Sequence, residues 1–148
     1  MLKKILSVLA VTLSLGTGAQ AWEVPARGTP DRAALMDAIR PHAEWYLGAP
    51  VEFVVHELRR SGDVAFAMLH AQRPGGGRIN AASTPMVLRG EAEDWMDVTE
   101  AQVLYRKSGS TWVAVHHAFG ATDVWFAWGP LCREYRAVIA EYCVGVQY

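Results

Sequence analysis

Glu100–Trp128 reads EAQVLYRKSGSTWVAVHHAFGATDVWFAW, and this stretch decides the fold. Two runs rich in β-branched and aromatic residues, Glu100–Lys107 and Thr111–Phe119, flank Ser108-Gly109-Ser110. That pattern predicts an antiparallel hairpin. With a three-residue loop, Val103 faces Val115 and Tyr105 faces Val113, and Trp112 lies beside Arg106 on the outer side. Gly120 then permits a corner, and Thr122 or Asp123 caps a short helical turn carrying Val124, Trp125 and Phe126.

Upstream, Thr29-Pro30-Asp31 is a helix start, with an N-cap, a proline at the first helical position and an acid at the positive end of the dipole. Leu35, Ile39, Ala43 and Tyr46 or Leu47 recur on one face of that helix, and Gly48 with Pro50 ends it. Pro41 interrupts the pattern, and a proline in a helix interior removes a hydrogen bond, so a kink there, or two short helices sharing one direction, is expected. Val51–Arg60 and Asp63–Gln72 read as strands joined at Ser61-Gly62. A turn there pairs Val55 with Met68 and puts Val51, Phe53, Val55, Val64, Phe66 and Met68 on one face, which is expected to take the helix. The other face, with Val54, Leu58, Ala65, Ala67 and Leu69, is apolar enough to need partial cover. Arg73–Arg78 reads as a glycine-rich loop without phosphate-binding spacing. Ala81–Asp94 is a polar connection with room for a short strand at Pro85–Leu88.

The first residues have a different character. Lys3 and Lys4 precede an apolar run, Ile5–Leu15, too short to span a bilayer, and Ala19-Gln20-Ala21 has the small-x-small form of a cleavage site. Residues 1–21 therefore read as a signal peptide, and 22–148 as a single exported domain. Without Lys3 and Lys4, the 14 basic residues of the chain fall further below its 15 acidic ones. That mild acidity, with scattered arginines, offers no footprint for nucleic acid or an anionic membrane. No stable membrane span is expected after cleavage.

Cys132 and Cys143 are the only cysteines, and in an oxidising compartment an even pair reads as a disulfide. Eleven residues of helix rise about 16 Å, whereas bridged Cα atoms lie within about 7 Å. A bonded pair therefore forbids one unbroken helix from Cys132 to Cys143.

The order of helix, hairpin, connection, hairpin and disulfide-tied tail predicts an α+β domain, a helix packed on an antiparallel sheet of about four strands. It resembles small cystatin-like or nuclear-transport-factor-like domains, which begin with a helix and end in a hairpin of the type seen from Leu104 to Val115. Gly62-Asp63-Val64-Ala65-Phe66, Gly109–Val115 and Gly120-Ala121-Thr122-Asp123-Val124 are also similar to stretches of small exported bacterial proteins of uncharacterised function. The resemblance implies a fold and no activity.

Three kinds of chemistry can be weighed. His56, His70, His116 and His117 suggest a metal, but the expected register sends His56 and His70 to opposite faces and adjacent His116 and His117 likewise. No metal or cofactor is therefore assigned. His117 with Asp123, and Tyr105 as a hydroxyl neighbour, is the candidate acid/base set of a pocket enzyme. The six tryptophans supply the third kind, since Trp95, Trp112, Trp125 and Trp128 are candidate contact residues for an envelope protein, peptide or small ligand. The expected role is a non-catalytic binding module, with the His/Asp enzyme as the alternative.

Overall fold

A computed structural model describes residues 21–147. The signal-peptide reading falls, apart from Ala21, outside the described residues. Helix α1 is Pro30–Leu47, strands β1 and β2 are Glu52–Ser61 and Val64–Gln72, and a single-turn helix α2 is Pro85–Leu88. Strands β3 (Glu100–Ser108) and β4 (Thr111–Phe119) follow, then helix α3 (Gly129–Ile139), which runs into a 3-10 turn at Ala140–Cys143. The four strands form an antiparallel meander in the order β1-β2-β3-β4.

Local chemistry explains the ends of α1. The Thr29 hydroxyl oxygen accepts from the Arg32 N–H, Pro30 opens the helix, and the Gly48 N–H returns to the Glu44 carbonyl. Arg73 then donates to the carbonyls of Leu47, Gly48 and Pro50, placing a cation at the negative end of the helix dipole. The chain is helical without interruption through the exposed Pro41. Pro85–Leu88 is helical rather than extended, with Pro85 in the first turn after Thr84.

Both hairpins differ from expectation in register, with consequences for every face. The β1–β2 turn is Gly62-Asp63, not Ser61-Gly62, so Ser61 pairs with Val64, and Gly62 sits at φ +55°. A β-bulge at His56 then absorbs one residue, and Val55 pairs with Leu69, not Met68. The β3–β4 turn has two residues, pairing Ser108 with Thr111 and so Tyr105 with Ala114, and a second bulge at Val115 then pairs Leu104 with His116 and Val103 with His117.

As a result the expected face is split: Phe53 and Val55 pack with α1 as expected, but Val64, Phe66 and Met68 turn to the opposite side. Leu35 and Ile39 settle over Leu58, Ala65, Ala67, Leu69, Val103 and Tyr105. Alanines at 65 and 67 leave the room that two branched helix residues fill. The bulky Phe66 and Leu104 face the other way, against Leu131, Tyr135, Val138 and Ile139 of α3 and against Phe126. Fully burying such side chains contributes about 1.5–3 kcal/mol each, which is why the C-terminal segment docks as a helix rather than trailing as a tail. The sheet is thus covered on both faces. Residues 121–128 form turns, with the Ala127 N–H on the Val124 carbonyl, and not the expected helical turn.

Cys132 and Cys143 are bonded, with Cα atoms 5.7 Å apart. The helix breaks between them, at Ile139, as the bridge requires. No helix among the described residues is long and apolar enough to cross a membrane.

Candidate functional site

Helix α3 does not reach the whole of its sheet face. Val64 and Met68 pack at its edge, but His70, next along the same side of β2, is only part-buried, and Val54 and His56 of β1 are exposed. This open end of the sheet collects polar groups. His70 pairs across the strands with Glu100 on one side and Val54 on the other. Directly opposed residues bring their side chains together, and His70 Nδ1 lies 2.7 Å from Glu100 Oε1. The bulge re-aims His56 onto the same face, so its ring centroid is 6.3 Å from that of His70 and its Nε2 is 4.0 Å from Glu100 Oε2. The expectation that His56 and His70 point to opposite faces is therefore corrected. Alternation holds only in an unbulged strand.

A second layer supports His70. Thr99 Oγ1 is 3.3 Å from His70 Nδ1 and donates to Asp97 Oδ1 at 2.6 Å, while the Thr99 N–H also meets that carboxylate. Thr99 is buried, so these bonds hold the 97–99 segment against the strand. On its far side a cleft of about 500 Å³ opens, lined by His70, Arg78, Ile79, Asn80, Ala81, Asp97, Val98 and Thr99. Arg78 is exposed and makes no ion pair among the described residues. Asn80 uses its side-chain oxygen to accept from the Ala82 N–H, which leaves its NH₂ for other partners. The cleft thus presents a cation, an amide, an imidazole and an anion beside Ile79, Ala81 and Val98.

The residues singled out from sequence lie elsewhere. His116 and His117 do face opposite sides, His116 toward Tyr135 of α3 and His117 toward α1. His117 stacks on His42 at 4.3 Å and touches Tyr46 and Phe119. Burial and the neighbouring His42 hold its pKa below the ordinary value, with the Ala114 backbone partly opposing. Asp123 is exposed on the loop after Gly120, and no hydrogen bond or ion pair joins it to His117. Tyr105 is wholly inside the α1 core, where burial drives its hydroxyl pKa far above the ordinary range. The three candidate acid/base groups are not assembled.

The tryptophans divide. Trp112 is 4 % exposed and faces α1, where its Nε1 donates to Asp31 and Lys107, not Arg106, stands over its ring at 5.5 Å. It is a core residue, because the two-residue turn shifts it to the inner face. Trp125 is half-buried beside Phe126. Trp95 and Trp128 are 79 % and 61 % exposed.

His70 was weighed as a metal ligand and set aside on the expected register, and Glu100 was passed over because it belongs to no local motif. Their signal is a long-range pairing across thirty residues, legible only once the hairpin register is known. Comparison with protein-family models, with curated proteins and with solved structures returns no match to this chain.

Proposed function

We propose that this chain is an exported, non-catalytic binding module of the cell envelope, with a cystatin-like arrangement of helix on sheet, that takes a small acidic ligand in the cleft beside His70. The observation that carries the reading is the cleft itself. Its volume of about 500 Å³ falls within the range of small-molecule sites, roughly 300–1,000 Å³, which combine an apolar floor with a few convergent polar groups. Arg78 and the Asn80 amide supply donors for a carboxylate or phosphate, and Arg is suited to bidentate recognition of both. Asp97 is exposed on the cleft wall, with its Oδ1 taken by the Thr99 hydroxyl and N–H. Export is supported by the N-terminal pattern at residues 1–21 and by the bonded cysteine pair.

The test is an NMR titration of the ¹⁵N-labelled protein with a panel of small carboxylates, phosphates and matched neutral analogues. The reading predicts saturable shifts at 78–81 and 97–99 for at least one acid and not for its neutral analogue, abolished by Arg78→Ala. Shifts confined to the exposed Trp95 or Trp128, or no shifts across the panel, would remove it.

A further inference from the structure

The group formed by His56, His70 and Glu100 lies on three adjacent strands, and we infer that it binds one divalent cation of the zinc class. Each residue offers one ligand atom, and the three atoms lie within 4.8 Å of one another. Around a tetrahedral zinc with bonds of about 2.0–2.1 Å, ligand atoms stand about 3.3 Å apart. The observed edges bracket that figure. His70 Nδ1 and Glu100 Oε1 are closer, at 2.7 Å, because they are hydrogen-bonded, and His56 Nε2 is wider, at 4.0 Å from the other carboxylate oxygen, Oε2. With the His70 ring proton on Nε2, a small inward swing of His56 brings all three into coordination range. His56 has the freedom for that swing, being the most exposed of the three side chains.

The bulge is the independent reason to read this as a built site. Without the extra residue, His56 would not share the face of His70. Bulges of this kind re-aim side chains and are over-represented beside functional sites. Thr99 Oγ1, itself anchored on Asp97, stands 3.3 Å from the same His70 Nδ1 and gives up that contact when the nitrogen takes the cation. Two imidazoles with one carboxylate suit zinc or copper and not calcium or magnesium, which require more oxygen ligands. No fourth His, Cys, Asp or Glu joins the group among the described residues. A bound cation therefore keeps a position for water or an added anion.

The test uses the purified protein, oxidised, metal-stripped and free of added acids, so that either result leaves the cleft reading to its own titration. Zn²⁺ is added in a calorimeter and Co²⁺ is followed by visible absorption. The expected result is one Zn²⁺ per chain and a Co²⁺ spectrum of low-coordinate type that Zn²⁺ bleaches and excess Mg²⁺ or Ca²⁺ does not. His56→Ala, His70→Ala and Glu100→Gln are each expected to weaken Zn²⁺ binding at least tenfold, while His117→Ala binds as wild type. His56→Ala alters an exposed side chain, and far-UV circular dichroism checks that each variant is folded. Absence of saturable Zn²⁺ binding by the wild type, or binding that all three folded variants retain, would overturn the inference.

Discussion

The guanidinium of Arg59, on β1, donates to the carbonyl of Val138 near the end of α3 at 2.9 Å. The two residues are 79 positions apart in the chain. Arg59 is 6 % exposed, pairs with Glu57 and Glu141, and lies 4.6 Å over the Trp22 ring. One buried cation therefore fastens the first strand, the N-terminal lead-in and the last helix together.

Removing that cation leaves Glu57 and the Val138 carbonyl without their partner. Arg59→Met is expected to destabilise the fold by about 2–4 kcal/mol, read as a lower urea midpoint. Arg59→Lys recovers only part of the loss, because an ammonium cannot span the carbonyl and two carboxylates in one plane. A midpoint unchanged in Arg59→Met would show that α3 docks without it.

The Cys132–Cys143 bridge closes a short loop at the junction of α3 and the final 3-10 turn. A loop of this length is worth about 2–3 kcal/mol by constraint of the unfolded chain. Reduction, or Cys132→Ser with Cys143→Ser, is expected to lower the urea midpoint accordingly. Free-thiol titration of the unfolded, unreduced protein should find none.

Gly120 occupies φ +71°, and a Cβ there would meet the Val98 Cα at 3.2 Å and the Asp97 carbonyl oxygen at 3.3 Å. Its N–H donates to the Glu100 carbonyl at 2.8 Å. Gly120→Ala therefore combines backbone strain with a push on the 97–99 segment. The expected cost is about 1–3 kcal/mol, accompanied by amide shifts at 97–99 in the NMR spectrum. Shifts limited to residues 119–121 would mean that the cleft wall is not pinned by this glycine.

His117 couples stability to pH. Its folded pKa lies below the ordinary value of about 6.5, through burial and the neighbouring His42. The unfolded chain then binds the proton more readily, so stability is fully present above the unfolded pKa and is lost as pH falls from there through the folded pKa. The melting temperature should drop from pH 7.5 to pH 5.5 more steeply in wild type than in His117→Phe. Parallel curves would assign the dependence to other groups.

The elements were largely legible, and their relationships were not. Thr29, Pro30 and Gly48 mark α1 through chemistry that is local in sequence, as do the glycine turns of both hairpins. Strand register is a different matter. A bulge at His56 and a Gly109-Ser110 turn one residue shorter than expected leave each segment's composition untouched, yet they change which side chains share a face. The first separates Phe66 and Met68 from Phe53 and Val55, leaving α1 over Ala65 and Ala67, and the second brings Trp112, expected outside, to the inside. Helix α3 was legible only as a disulfide constraint, because Gly129-Pro130 reads as a loop until Phe66 and Leu104 require a cover. The site shared the same fate, since His70 and Glu100 meet only through the pairing of β2 with β3.

The placement of His56 beside His70 is therefore the point on which the site depends. It is tested most directly by nuclear Overhauser contacts of the His56 imidazole in the oxidised protein. The bulged register predicts cross-peaks between the His56 and His70 ring protons, whose centroids are 6.3 Å apart, and none from His56 to Leu35 or Ile39. Cross-peaks from His56 to those α1 residues, with none to His70, would contradict it.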